Sequence, residues 1–182
     1  MRALTFFAAV AALAAPLALA APARAQVPPV GGGLPVVDTW QFRQMAMSGN
    51  IYEVAAGHIA MERARSPAVR AFGAMLVADH TRAAQALGNG MIFRDDLSQL
   101  MPPQQQAIAT LENAPPGAFD LVFLNQQIAV HRMTMAMYAA YAQQGFEPFL
   151  RQAAATAIPM LQHHLAVAET LRARLLARRA VS

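Results

Sequence analysis

The prolines of this chain stand at the joints of a sequence otherwise built from helix formers. From residue 38 onward Ala, Met, Leu, Gln and Arg dominate and β signal is nearly absent, which favours helices throughout. Against that background Ser66-Pro67, the pairs Pro102-Pro103 and Pro115-Pro116, and Glu147-Pro148 mark breaks between helical lengths. Proline is tolerated at the first helical position and costs heavily inside a helix, so each break closes one segment and opens another. An all-α fold follows.

Four long segments are expected. The first opens on Asp38 as N-cap and runs to about Arg65, with Phe42, Met45, Gly49, Tyr52, Ala56 and Ile59 on one stripe. The second runs from Pro67 to about Leu87 with Val69, Phe72, Leu76, His80, Ala83 and Leu87 inward, and Gly88-Asn89-Gly90 ends it. Residues 91–116 form a long connection holding a short helical piece, Gln104 to Glu112. The third long helix spans about Gly117 to Gly145, with Phe123, Leu124, Gln127, His131, Met135 and Tyr138 inward. The last opens at Glu147-Pro148 and reaches about Arg179, and Pro159 inside it is expected to kink or split it. The tight turn at Ser66-Pro67 makes the first two helices antiparallel. The expectation is an up-down-up-down four-helix bundle over residues 38–180, with a long, partly helical connection between its second and third helices.

The residues before the bundle read differently. Arg2, the apolar run Ala3 to Ala20 and Ala23-Arg24-Ala25 make residues 1–25 a signal peptide, which places the mature protein in the periplasm. An uncleaved anchor is the rival reading, against which Pro16 and the Ala-x-Ala site argue. After cleavage no integral membrane segment would remain. Residues 26–37, beginning QVPPVGGGLP, form a flexible linker. With no cysteine in the chain, neither disulfides nor thiolate metal sites are available, so any metal must be held by His, carboxylate or Met. Loss of Arg2 and Arg24 would lower the net charge of +4 by two. That is a poor footprint for nucleic acid, which needs clustered charge. The one basic cluster, Arg172, Arg174, Arg178 and Arg179, sits at a helix end where cations meet the helix dipole favourably.

Polar residues on the apolar stripes carry the functional signal. His80, His131 and His164 each fall on the core-facing side of their helix, and Glu53 lies beside the first stripe with Gly49, Ala56 and Gly57 around it. Each helix thus offers one candidate ligand. Counted from the first turn, Glu53 and His80 lie 12 and 13 residues down; counted from the second, His131 and His164 lie 13 and 16 residues down. At about 1.5 Å per residue the four levels agree to within roughly 6 Å. One carboxylate and three imidazoles at one level can bind a divalent or soft transition ion such as Zn, Cu or Fe. A lone histidine on an apolar stripe is more often a hydrogen-bonded core residue, so the set stands against a real alternative. Asp79 and Asp120 are candidates to orient the histidines from behind. Equally, Asp79 can face solvent and Asp120 can favour the first turn of its helix.

Other features read as structural. His58, Glu62 and Arg65 suit a solvated face with i,i+4 pairing. His163 points about 100° away from His164 along the helix. Met133, Met135 and Met137 beside His131 form a Cu(I)-suited set on paper, but residues two apart on a helix diverge, and core filling is the simpler account. The Glu-x-x-His pair of carboxylate-bridged di-iron bundles is missing: Val77, Ile128 and Leu161 precede the three histidines by three. Phosphate loops, a nucleophile elbow and zincin spacing are missing as well.

Glu53 with Gly57, Ser66-Pro67-Ala68-Val69-Arg70-Ala71-Phe72 and Met75-Leu76-Val77-Ala78-Asp79-His80-Thr81 resemble the start of the bacterial domain of unknown function 4142 family. Gly117-Ala118-Phe119-Asp120, His131, Ile158-Pro159-Met160-Leu161, His164-Leu165 and Ala168 continue the likeness in order, covering about Phe42 to Leu171. The resemblance implies a ferritin-like helical bundle in exported bacterial proteins and brings no established activity. Glu53, Asp79, His80, Asp120, His131 and His164 match its pattern, whereas His58 and His163 do not. The leading expectation is a periplasmic module that binds a transition metal through Glu53, His80, His131 and His164, serving storage, sensing or stress protection. Its rivals are a non-catalytic structural or interaction module, whose buried His and Glu form a hydrogen-bond network, and a metal-dependent oxidoreductase. Nothing in the sequence identifies a protein partner, and a homodimer stays open.

Overall fold

The computed structural model describes residues 38–88 and 96–180. The expected signal peptide 1–25, the linker 26–37 and residues 89–95 of the long connection lie outside the described residues. Within them there are five α-helices and no strand: α1 (Thr39–Arg63), α2 (Pro67–Leu87), α3 (Pro102–Asn113), α4 (Phe119–Gln144) and α5 (Pro148–Arg179), with a 3-10 turn at Leu97–Gln99 before α3. No described helix is long and apolar enough to cross a membrane.

Local chemistry sets the boundaries. Asp38 caps α1 by accepting from the backbone N–H groups of Trp40 at 2.6 Å and Gln41 at 3.3 Å. Prolines occupy the first turns of α2, α3 and α5. Gln104, in the first turn of α3, reaches back to accept from Met101 N–H at 2.9 Å. Pro159 does not split the last segment: α5 is one helix of 32 residues that passes through it. The proline leaves the Ala155 carbonyl without its helical donor, and Ala155 is exposed, so water can satisfy it.

The course of the chain departs from the expected alternation. Asp120, in the first turn of α4, accepts from the backbone N–H groups of Arg65 and Ser66, both at 2.9 Å. At the other end Thr39 Oγ1 meets the Tyr141 hydroxyl at 3.0 Å, and the Phe42 ring stacks on Tyr141 at 3.9 Å. The start of α4 therefore lies at the α1–α2 turn, α4 runs antiparallel to α1, and the order is up-down-down-up rather than up-down-up-down. The reason is the long connection. Ser48 donates to Gln104 low on α3, and Arg63 donates to the carbonyls of Leu111, Glu112 and Ala114 at its top, so the connection climbs the flank of α1 before α4 starts down.

That course also explains why α1 fails the amphipathic expectation. Residues 51–54 are buried in an unbroken run, because α2, α3 and α4 all pack against α1. A helix enclosed on so many sides at its middle keeps its exposed polar residues near its ends, Gln41, Arg43 and Gln44 at one and His58 and Glu62 at the other. Gly57 and Gly73 let α1 and α2 approach closely: a Cβ on Gly57 would stand 2.7 Å from the Gly73 carbonyl and 2.8 Å from Val77. The apolar core falls into two clusters, one around Tyr52, Phe72, Leu76, Phe119 and Phe123, the other around Phe42, Tyr138, Tyr141, Leu150 and Leu161.

Two glycines should respond oppositely to the same change. Gly57→Ala meets backbone that cannot give way and should cost about 1–3 kcal/mol. Gly49→Ala, whose Cβ would meet nothing within 4 Å, should gain about 0.5–1 kcal/mol from the lower entropy of the unfolded chain. Asp120→Ala removes the shared acceptor of two part-buried backbone donors at the turn and should cost about 1–2 kcal/mol. Urea unfolding of the three variants beside the wild type reads all of these, and a neutral Asp120→Ala would refute the anchoring role.

Candidate metal centre

Between the two apolar clusters lies a polar layer. Asn50 and Glu53 come from α1, His80 from α2, Gln127 and His131 from α4, and His164 from α5, each 3% exposed or less. Their levels agree although the expected direction of α4 and α5 was reversed, because His131 and His164 sit at the midpoints of their helices. A mid-helix residue keeps its height when the helix is turned end for end.

The three imidazole rings form a triangle, with centroids 5.8 Å apart for His80–His131, 5.2 Å for His80–His164 and 5.3 Å for His131–His164. One nitrogen of each lies within 4.8 Å of the others. The remaining nitrogens decide the tautomers. His131 Nδ1 lies 2.9 Å from the Gln127 carbonyl, and His164 Nε2 lies 2.9 Å from the Asp79 carboxylate. A carbonyl or an ionised carboxylate can only accept, so these two nitrogens carry the protons. His80 Nδ1 lies 2.9 Å from Asn50 Oδ1, and the Asn50 amide is oriented by its own donation to the Ala46 carbonyl at 2.8 Å. His80 therefore also donates outward. The lone pairs of His80 Nε2, His131 Nε2 and His164 Nδ1 are left for the interior. His80 Nε2 has no hydrogen-bond partner, and His131 Nε2 faces His164 Nδ1 at 3.3 Å.

Lone pairs held at that distance repel unless a cation lies between them. Two tetrahedral ligands about 2.05 Å from a zinc ion stand about 3.3 Å apart, so the His131–His164 pair already has ligand spacing. Burial, the neighbouring imidazoles and no compensating anion at the centre keep these rings neutral, the form that ligates. Burial holds His80 well below its ordinary pKa, with His131 and His164 adding to the effect. Burial and His164 bring His131 down to about 4. Burial lowers His164 too, while Asp79 pulls the other way.

Glu53 stands apart from the three converging nitrogens. Its Oε1 is 3.8 Å from His131 Nδ1, the nitrogen that donates outward. Neither carboxylate oxygen has a hydrogen-bond partner, nor do the amide atoms of Gln127. Burial pushes the Glu53 carboxyl up to about 8, against a smaller downward pull from Gln127 close by. Glu53, Asn50, His80 and His131 share a cavity of about 20 Å³, room for one water-sized guest. Met45, Met160 and Tyr138 border the same cavity.

The structure thus brings His80, His131, His164 and Asp79 together and sets Glu53 across a small cavity from them. It does not bring Asp120 to the histidines. Asp120 is 11 residues from His131, roughly 16 Å along α4, where it ties down the α1–α2 turn. His58 and His163 are exposed, as is Met133, and Met135 and Met137 pack against the lower apolar cluster. Sequence reasoning placed Gln127 and Met45 on inward stripes without assigning them to the site, and it missed Asn50 and Met160. Asn50 was legible in one respect: it is four residues after Ala46, on the buried side of the helix that carries Glu53.

No curated protein and no solved structure matches the chain. The family described as Domain of unknown function (DUF4142) matches it over residues 18–171. The match takes in all six residues of the polar layer, and on it this chain belongs to the DUF4142 family.

Proposed function

We propose that this protein is an exported, periplasmic ferritin-like four-helix bundle that holds one transition-metal ion through His80, His131 and His164. The observation that carries the reading is the direction of the three imidazoles. Each donates outward to a separate acceptor, and each aims a lone pair at a shared point. Outer hydrogen bonds of this kind fix the tautomer and raise ligand basicity in metal sites. Glu53 is the candidate fourth ligand across the cavity, and it would ligate as a carboxylate by giving up its proton as the ion binds. Zn, Cu and Fe all accept imidazole, and the thioethers of Met45 and Met160 beside the cavity favour copper among the three.

The bundle reading is supported by the packing of α1 on α2, α2 on α5, α5 on α4 and α4 on α1, neighbours that run antiparallel around a ring. The long connection that carries α3 suits a ferritin-like crossover. Export is supported by the character of residues 1–25, a basic residue, an apolar run and a small-x-small site. Storage, sensing or stress protection fits a fully enclosed ion better than turnover of a substrate does. A second reading rests on one distance. At 3.3 Å, His131 and His164 can also share a single proton, which would make the layer a closed network that sets helix register.

Metal analysis of the exported protein, purified without a His-tag, separates the two. The metal reading expects about one ion per chain in the wild type, and loss of it in His80→Ala, His131→Ala and His164→Ala. Asn50→Ala, which frees the His80 ring, should weaken affinity about 10- to 100-fold while leaving stoichiometry intact at saturating metal. Asp120→Ala should bind as the wild type does. Sub-stoichiometric metal after reconstitution, or equal metal in all the histidine variants, would leave the proton-sharing network as the function of the layer. Glu53→Gln tests the fourth position: unchanged affinity removes Glu53 from the ligand set.

A further inference from the structure

A groove of about 530 Å³ opens between α2 and α5, outside the polar layer. Its size falls in the range of small-molecule sites. Four alanines hollow it, Ala83 and Ala86 on α2 with Ala153 and Ala157 on α5, so that two helices which elsewhere pack closely leave a slot. Tyr138, Phe149 and Met160 furnish its apolar walls, and Phe149 is 47% exposed there. Flat rings and a thioether around an alanine-lined slot suit a thin aromatic body, through edge and face contacts and sulfur–ring contacts.

The polar end holds an ion pair, Arg82 with Asp79, and its exposed member is the cation. Arg82 lies on the groove wall with its side chain 72% exposed, and its contact to Asp79 runs through Nη2. Asp79 in turn spends its other oxygen on His164, so the carboxylate is divided between two donors. Both two-point forks of a guanidinium include Nη2, which meets Asp79, so Arg82 keeps Nε and Nη1 as separate charge-assisted donors beyond that contact. The Gln152 amide and Thr156 hydroxyl stand on the α5 wall as neutral donors and acceptors.

We propose that the α2–α5 groove is a binding site for a small planar aromatic carboxylate, whose anionic end pairs with Arg82 and whose ring lies against Tyr138, Phe149 and Met160. None of these contacts involves a histidine, so the inference stands apart from the metal reading. Asp79 and Tyr138 both link the groove to the polar layer, since Asp79 bonds His164 and Tyr138 borders the small cavity beside the triad.

Calorimetric titration of the protein with 2-naphthoate and with its neutral match 2-naphthamide tests this. Both are expected to bind, the acid more tightly. Arg82→Ala should weaken 2-naphthoate about tenfold, the loss of one charge-assisted pair, and leave 2-naphthamide within about twofold. Ala86→Trp, at an exposed position on the rim, and Ala157→Phe, deeper in the slot, should each abolish binding of both probes, with circular dichroism melting confirming the fold. If one filling variant fails to fold, the other still decides the matter. Absence of heat from both probes in the wild type would overturn the proposal. So would equal affinity for acid and amide, or binding that survives both filling variants. Sedimentation that shows a dimer lost in Ala86→Trp, with no probe binding to the wild type, would assign the groove to a second copy of the chain and likewise overturn it.

Discussion

Burying imidazole and carboxylate groups in an apolar core costs several kcal/mol each unless their polar atoms are partnered. This protein buries three histidines, a glutamate, a glutamine and an asparagine in one layer, and most of its architecture follows from how it meets that cost. The outward nitrogens of all three rings are satisfied by groups that the helices themselves bring: a side chain on α1, a backbone carbonyl one turn back on α4, and a carboxylate on α2. The inward nitrogens, both Glu53 oxygens and the Gln127 amide are not satisfied by protein at all or are satisfied only by each other. A layer half closed in this way leaves three neutral imidazoles so placed that they could hold a metal ion.

The apolar clusters above and below hold the layer in register. The upper one sets Tyr52, Phe72, Phe119 and Phe123 among aliphatic residues of all five helices, with Phe72 edge-on to both Phe123 and His164. The lower one centres on Phe42 against Tyr138 and Tyr141. Each draws residues from α1, α2, α4 and α5, so a ring that slips by one turn would pull an imidazole out of the triangle. The close approach of α1 and α2 at Gly57 and Gly73 lies a single turn above Glu53, which leaves little freedom for that carboxylate to move away.

Asp120 serves the same end from a distance. Its carboxylate takes two backbone donors of the α1–α2 turn, which pins the start of α4 to the top of the first hairpin. The connection must then rise along α1 to reach that point, and it covers the outer face of α1 as it does so. One buried carboxylate at a turn thereby accounts for both the direction of α4 and the enclosure of α1.

The helix count, their limits to within about two residues, and the three inward histidines were legible in the sequence. Each rests on local chemistry: capping by Asp38, prolines at first turns, and the 3.6-residue spacing that puts His80, His131 and His164 among apolar neighbours. The common level was legible too, since residues near the middle of helices of similar length meet whichever way the helices run. Direction was not, because a connection of some thirty residues can return α4 to either end, and only the pairing of Asp120 with a turn fifty-five residues away decides between them. Nor was the ligand geometry. Spacing along one helix cannot tell which ring nitrogen faces inward; that depends on Asn50 and Asp79, acceptors on other helices, and on Gln127, whose carbonyl acts only once the ring rotamer is set by packing. Sequence determined which residues enter the core, and tertiary structure decided what they say to one another, because hydrogen-bond direction is a property of pairs that the chain brings together only on folding.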